Sequence, residues 1–484
     1  MITAIHNDVR KVLLLNPPFD GLYIRDQFCS HLSKGTYYWQ PLDLLTISAR
    51  LDEAGYELAV VDCVAESLSA EAALERVSRF QPDAIVFLTG CDSWDADIAF
   101  VERAKALGAS LAVGIGDVLR EKGETLLATH LAMDACILDF VNNGLAAFLA
   151  GDPDKAENML VRLADGVRKI PSKSTSKYFR MASPRYDLFP LDRYRMPYNR
   201  FHPYATVISS TWCPYACSFC PFAKTPYKAR EADDVLANLE TIRRLGIKQV
   251  HFADWTFGVN RKQAKAILDG MLREKFGFAW SCLSRVDLLD REMMELMKRT
   301  GCELVEFGVE SGSQALLDRY EKDTTVPQIR EAFKNARELD LSTLATFVLG
   351  LPGETRETLE ETLALALEIE PTFCSFNMAS PQPATQLRRD LIAAGQLDES
   401  APAILDSSRT LPVINTQALT AEEVYEFRNR AVRSFYLRPT YVWRRLRRIQ
   451  SVVELQNHVF NGASLMWQTL QRTRSQPVGA SRSS

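Results

Sequence analysis

No apolar run in the chain reaches the 18 residues that a membrane-crossing helix requires. Near the N-terminus the apolar stretch Val12 to Leu15 stops at Asn16-Pro17-Pro18, which is too short for the core of a secretory signal. A charge excess is also missing. With 57 basic and 61 acidic residues the formal charge is −4, which gives no global attraction to nucleic acid or anionic lipid, and no nucleic-acid partner is expected. Dense, paired cysteines are absent as well. Ten cysteines in 484 residues, scattered apart from one tight group, exclude a secreted disulfide framework and suit a reducing compartment. Together these absences predict a cytoplasmic globular chain of two or three domains.

What is present is a repeated step of short apolar run, turn and amphipathic helix. Strands are predicted at Val12–Leu15, Leu58–Asp62, Ala84–Leu88, Leu111–Gly114 and Ala135–Leu138, with helices between them. Leu44, Ile47 and Leu51 recur at spacings of three and four and so share a helix face. This rhythm predicts an α/β fold whose first domain, 1–150, is a doubly wound parallel sheet. Such sheets bind ligands beyond the strands' C-terminal ends, here the loops Asn16-Pro17-Pro18-Phe19, Thr89-Gly90-Cys91-Asp92 and Gly114-Ile115-Gly116-Asp117. A proline- and serine-rich passage, 151–205, reads as a surface linker. A second series over 206–388, with strands at Val207–Ser210, Gln249–Ala253, Phe278–Cys282, Leu304–Val309, Leu344–Leu349 and Phe373–Met378, predicts a partial six-step β/α barrel. Residues 389–471 read as a helical C-terminal region and 472–484 as a disordered tail.

Directly after the first barrel strand, Cys213, Cys217 and Cys220 place three thiols within eight residues. Three soft ligands on one loop indicate a metal. Structural zinc would need a fourth ligand, with His202 and His251 as candidates, whereas a four-iron cluster held by three thiolates keeps one iron open. The C-x-x-x-C-x-x-C loop at the head of a six-step barrel resembles the radical S-adenosylmethionine superfamily. The likeness continues through Phe252-Ala253-Asp254-Trp255-Thr256-Phe257, Trp280-Ser281-Cys282, Arg285-Val286-Asp287, Gly308-Val309-Glu310-Ser311-Gly312-Ser313 and Gly350-Leu351-Pro352-Gly353-Glu354-Thr355. With the N-terminal sheet, these segments resemble the cobalamin-binding branch of that superfamily over roughly residues 10–450.

The resemblance implies a 4Fe-4S cluster on Cys213, Cys217 and Cys220 and cleavage of S-adenosylmethionine to a 5′-deoxyadenosyl radical. It also implies an external electron donor of flavodoxin or ferredoxin type. Phe219 is expected to face the adenine, Glu310 and Ser311 to reach the ribose or the methionine ammonium, and Asp254 to do the same. Trp255 stands where the branch often has a second acidic residue. Gly350 and Gly353 would let backbone approach the cofactor, or serve a tight turn by geometry alone. Cobalamin is expected at Asn16, Pro17, Thr89, Gly90, Gly114 and Gly116. The aspartate-x-histidine-x-x-glycine motif is absent, so no lower axial histidine is expected. The usual glycine-glycine-proline turn is replaced by Gly114-Ile115-Gly116-Asp117, and the usual glycine-glutamate pair by Asn142-Asn143-Gly144.

Cys282 is expected on the catalytic rim, where a thiol could donate hydrogen to a substrate radical. The remaining single cysteines read as small buried residues, and they do not form the extra three-cysteine cluster of methylthiotransferases. Between Arg428 and Arg448 lie eight arginines and no lysine, interleaved with Phe435, Tyr436, Tyr441 and Trp443. A helix with Val442, Leu446, Ile449 and Val453 on its packed face would turn Arg444, Arg445, Arg447 and Arg448 outward. Segment 428–453 is thus a candidate peripheral membrane contact for a small, lipid-like substrate, set against a solvated helix that closes the barrel. The expected reaction is cobalamin-dependent C-methylation of an unactivated carbon. Alternatives are radical cyclisation, ring contraction or oxidative rearrangement with the same cofactors, and, from another class, an iron-sulfur electron-transfer or sensing protein.

Overall fold

The structure is a computed structural model that describes residues 9–28, 30–33, 37–141, 143–399 and 414–448. The tail expected at 472–484, the helical readings over 400–413 and 449–471, and Asn142 lie outside the described residues.

Five parallel strands, β1 (Lys11–Asn16), β2 (Glu57–Asp62), β3 (Ala84–Thr89), β4 (Leu111–Gly116) and β5 (Ala135–Ile137), stand in the order 2-1-3-4-5. Helices cover both faces, so β3 is apolar from Ala84 to Leu88 and buried at all six positions. Alternate side chains of β1 divide between two cores. Leu13 and Leu15 pack with Val77 and Val101. Val12 and Leu14 join Leu44 and Ile47 in a cluster that continues into the barrel through Tyr204, Phe252 and Phe376. The strand order reverses at β1, and the crevice between β1 and β3 is the place where such sheets take ligands.

Residues 151–205 are not a surface linker. Met159–Leu163 and Gly166–Ile170 extend the sheet as two antiparallel strands, β6 and β7, joined at Ala164-Asp165. Asp165-Gly166, a hairpin dipeptide with Gly166 at φ +130°, was the available signal. Further along, Tyr186 and Tyr194 are buried, and their hydroxyls donate to Thr206 O at 2.7 Å and Asp62 Oδ2 at 2.9 Å. This passage therefore cements the two α/β units together.

The second unit is a six-stranded parallel sheet in sequential order: β8 (Tyr204–Val207), β9 (Gln249–Phe252), β10 (Ala279–Ser284), β11 (Cys302–Glu310), β12 (Ser342–Leu349) and β13 (Phe373–Met378). The first strand ends earlier than expected. Ser210–Thr211 leaves the barrel to pair antiparallel with Lys228–Arg230. Along β12 and β13 burial alternates strictly, with one face against the helices and the other lining the lumen.

After the barrel, the helix Ala421–Tyr436 packs on β13, and the Tyr436 hydroxyl binds the backbone of Cys374. The helix Pro439–Arg448 turns differently from the expected arrangement. Val442 is 43% exposed, and Tyr441 is the residue that packs inward, donating to Thr372 O at 3.2 Å. Arg444 pairs with Glu370 at 2.6 Å, Arg445 lies over Phe373, and Arg428 is buried. Much of this basic stretch binds the protein itself, and among the described side chains Arg433 and Arg447 are exposed, Arg447 lying over exposed Trp443. Ile449 and Val453 lie outside the described residues; among the described residues no helix is long and apolar enough to cross a membrane.

Beyond the ends of β1 and β3, Arg25 and Asp97 form an ion pair whose side chains have no solvent exposure, at 3.0 and 2.5 Å. Removing one partner strands a buried charge. Asp97→Ala should therefore cost about 3–5 kcal/mol in urea unfolding, and a loss below about 1 kcal/mol, the range of exposed pairs, would contradict this account.

Candidate active site

The cysteine loop is shaped by its own backbone. Thr225 closes it, accepting from Cys213 N through Oγ1 at 2.8 Å and donating its own N–H to Cys213 O at 3.1 Å. Lys224 N donates to Tyr215 O, and Cys220 N to Cys217 O. Two further bonds fasten the loop to the barrel rim, Ser218 N to Tyr320 O and Leu387 N to Ser218 O. The three thiols are free and lie within electrostatic range of one another.

Zinc would need four ligands about 2.3 Å from one point, and among the described residues no three His, Cys, Asp or Glu side chains converge on a single-ion position. His251 is buried on β9 against Ser281 Oγ at 2.9 Å, and His202 sits beside Arg195 and Asp192 O, so neither completes a zinc site. A cubane cluster asks instead for three soft donors, each to a separate iron, and this loop carries three thiols.

Asp254 does not reach outward as expected. Its carboxylate accepts from Ser209 N at 2.6 Å, Ser210 N at 3.1 Å, Ser210 Oγ at 2.9 Å and Ser209 Oγ. Burial pushes this carboxyl up to about 6, with the serine bonds pulling it back down. All four bonds hold the bend that aims the chain from β8 into the cysteine loop. Next to it, Trp255 stacks on Trp212 with centroids 5.4 Å apart, and Phe28, Phe140 and Phe222 pack around the pair. Where the branch often has a second acid, this chain has an aromatic that closes the seam between the two α/β units.

Glu310 stands at a bulge at the end of β11 with φ +67° and pairs with Lys322 Nζ at 2.8 Å. Gly308 makes the room, because a Cβ there would lie 2.4 Å from Glu310 Oε1 and 2.9 Å from Lys322 Nζ. Neither Lys322 nor Gly308 was assigned a role from the sequence. Ser311 is spent locally, its Oγ lying 3.1 Å from Ser313 N and 3.3 Å from Thr362 Oγ1. Phe219 is half-buried against Tyr320, whose hydroxyl donates to Pro352 O at 2.6 Å. The fold thus brings Phe219 to the Gly350–Thr355 turn. Gly350 and Gly353 have φ of +89° and +90°, so the turn's geometry alone requires glycine there. Gly350 N donates to the Glu354 carboxylate, whose other oxygen, Oε1, is buried without a partner.

Cys282 is not on the rim. It has no solvent exposure and shares a strand face with Trp280, which packs against Phe252 and Phe257. Burial pushes its thiol up, and Cys302 beside it adds to the effect. In the N-terminal unit, Asn16 is wholly engaged with Tyr38, Asp62 and Arg25, and Pro17 O accepts from Arg25. A Cβ on Gly90 would lie 2.5 Å from the Tyr23 hydroxyl, one on Gly114 2.8 Å from Leu119 and Met133, and one on Gly116 1.9 Å from Thr89 O. These three glycines are explained by internal packing, and segment 17–33 covers the strand ends. Among the described residues, Gln27 Oε1 and Asp43 Oδ1 are buried there without a hydrogen-bond partner.

Residues 207–366 match the radical SAM superfamily. The chain carries a radical S-adenosylmethionine domain there. That superfamily uses a 4Fe-4S cluster and S-adenosylmethionine, which the cysteine loop and rim suit. The enzyme is 28% identical over 458 residues to an uncharacterized methyltransferase, PH0819, of Pyrococcus horikoshii, spanning 89% of this chain and 93% of that one. It is 23% identical to the cytidylyl-2-hydroxyethylphosphonate methyltransferase of Streptomyces wedmorensis, over 89% and 90% of the two chains. Its fold resembles that of the methyltransferase TsrM from Kitasatospora setae, solved with cobalamin and a 4Fe-4S cluster, with TM-score 0.66, 16% identity and 90% of each chain covered. It also resembles the cobalamin-dependent radical enzyme OxsB, with TM-score 0.68, 14% identity and coverage of 96% and 72%.

Anaerobic reconstitution of the enzyme should give about four irons per chain, and alanine at Cys213, Cys217 or Cys220 should abolish deoxyadenosine formation; a tetrahedral zinc site would contradict the assignment. The buried Glu354 makes a separate test. Burial pushes its carboxyl up to about 7 from an ordinary 4.5, so the folded chain retains a proton that the unfolded chain releases. Its contribution to stability is full below about 4.5 and is lost as pH rises towards about 7. Glu354→Gln should flatten that decline in pH-dependent urea unfolding, and a profile parallel to the parent's would refute it.

Proposed function

We propose that the enzyme transfers a methyl group to an unactivated carbon of a small molecule, with cobalamin as its second cofactor. The observation that carries this is the seam between the two units: Phe28 from the segment over the sheet's strand ends touches Trp212, the residue before Cys213. A group held beyond β1 and β3 is therefore next to the cluster loop. Gln27 Oε1 and Asp43 Oδ1, buried and unpartnered, suit a ligand rich in N–H donors, as the amide side chains of a corrin are.

When bound, the cluster supplies the electron that cleaves the sulfonium, and cobalamin supplies a carrier for the methyl group. The rest falls to this chain. Glu310 and Lys322 present opposite charges side by side, which matches the ammonium and carboxylate of a methionine moiety. Phe219 and the Gly350–Thr355 turn flank the same rim, and the Trp212–Trp255 stack keeps water out of the seam. An external donor of flavodoxin or ferredoxin type supplies the electron.

A radical cyclisation reading has weaker support. The likeness to the anaerobic magnesium-protoporphyrin IX monomethyl ester cyclase of Cereibacter sphaeroides, 29% identical, spans 48% of this chain and 39% of that protein. That of Rubrivivax gelatinosus, 24% identical, spans 76% of this chain and 69% of that protein, whereas two relatives matched over about nine tenths of both chains are named methyltransferases. With methyl-labelled S-adenosylmethionine and cell extract, the product should gain one labelled methyl group, and a product lacking the label would favour cyclisation or rearrangement. Hydroxocobalamin should bind and, in its paramagnetic state, show no nitrogen superhyperfine splitting from a protein imidazole. Clear splitting, or no binding, would overturn the cobalamin reading.

A further inference from the structure

Of the three cluster cysteines, Cys217 is the most deeply buried, at 8% exposure, and a guanidinium reaches it. Arg285 follows β10 directly. It is 4% exposed, with Nη1 3.9 Å from Cys217 Sγ. Every other part of its head group is fixed. Nε and Nη2 donate to the two oxygens of Asp287 at 2.9 and 3.2 Å, and Nη2 also donates to Lys322 O at 2.7 Å and Asp323 O at 3.3 Å. The Tyr215 ring lies against the guanidinium, 3.8 Å from ring centroid to its central carbon. These contacts are enough to hold an arginine in place, and they turn its Nη1 towards the sulfur.

A cation that donates to a ligating sulfur draws electron density from it and favours an added electron, and hydrogen bonds to sulfur together with net local charge set iron-sulfur potentials. Burial keeps that field from being screened. The neighbouring Lys322 is paired with Glu310 at 2.8 Å, and Arg285 with Asp287, whose side chain is 19% exposed against 5% for the arginine. We infer that Arg285 is a positioning residue that raises the reduction potential of the cluster through Cys217, with Asp287 moderating its charge. The step served is a one-electron reduction, in which the donor is oxidised, the cluster reduced, and no bond is made or broken.

The inference rests on the cluster assignment and not on methyl transfer, so it is tested on the reconstituted enzyme before any substrate is added. Potentials would be read by spectroscopic redox titration, with iron content and circular dichroism as controls. Arg285→Gln should shift the midpoint to lower potential by enough to change the reduced fraction about tenfold, equivalent to about 59 mV for one electron. Arg285→Lys should recover part of that shift, and Asp287→Asn should move the midpoint the opposite way. An unchanged midpoint in a fully loaded Arg285→Gln variant overturns the inference. If that variant does not hold a cluster, Asp287→Asn decides the matter, and an unchanged or lowered midpoint there overturns it. Failure of the parent to hold a four-iron cluster would instead refute the radical-enzyme reading as a whole.

Discussion

A single buried carboxylate sets the shape of the site. Asp254 ties down both backbone N–H groups and both hydroxyls of Ser209 and Ser210, and that bend redirects the chain from a barrel strand into the cysteine loop. Three thiolates can serve one cubane only if their loop is rigid and its donors diverge. The Asp254 bend, the Thr225 clasp and the bonds of Ser218 to Tyr320 and Leu387 supply that rigidity from three directions. Each oxygen of the buried Asp254 carboxyl accepts from two of these donors, and a carboxyl left there with none would carry the full desolvation penalty, so the loop and its carboxylate stabilise one another.

The same economy governs the joint between the units. One face of the N-terminal sheet and the barrel share a continuous apolar cluster, and the aromatic group around Trp212 and Trp255 fills the seam beside the cluster loop. The two units therefore pack through one shared core. Near the cysteine loop, the charges are placed in opposed pairs: Glu310 with Lys322, and Asp287 with Arg285. Gly308 permits the first pair to lie flat against the strand.

Much of this was legible in the sequence, because apolar runs such as Ala84–Leu88 and the Cys213–Cys220 spacing are local signals. What was misread depended on side-chain direction or on distant partners. Asp254 resembled a ligand because Ser209 and Ser210, which use up its oxygens, lie more than forty residues away. Cys282 closes the strand expected from the sequence, yet β10 runs on to Ser284 and Cys282 has the same parity as Trp280, facing the core. Gly114 and Gly116 suited an open cradle, but their missing side chains make room for Met133 and for Thr89 O. Lys322 follows a short helix, and nothing local announces that it returns to Glu310. The 159–170 hairpin was lost because it breaks the β-α rhythm by which the rest was read.

The central claim is that Cys213, Cys217 and Cys220 leave one iron of the cluster open to S-adenosylmethionine at the Glu310–Lys322 rim. Electron-nuclear double resonance on the reduced cluster, with S-adenosylmethionine labelled with nitrogen-15 at its amino group, tests this most directly. The account predicts a strong coupling from the labelled nitrogen that disappears in Glu310→Gln combined with Lys322→Met. A reduced cluster that binds S-adenosylmethionine without any nitrogen coupling would contradict it.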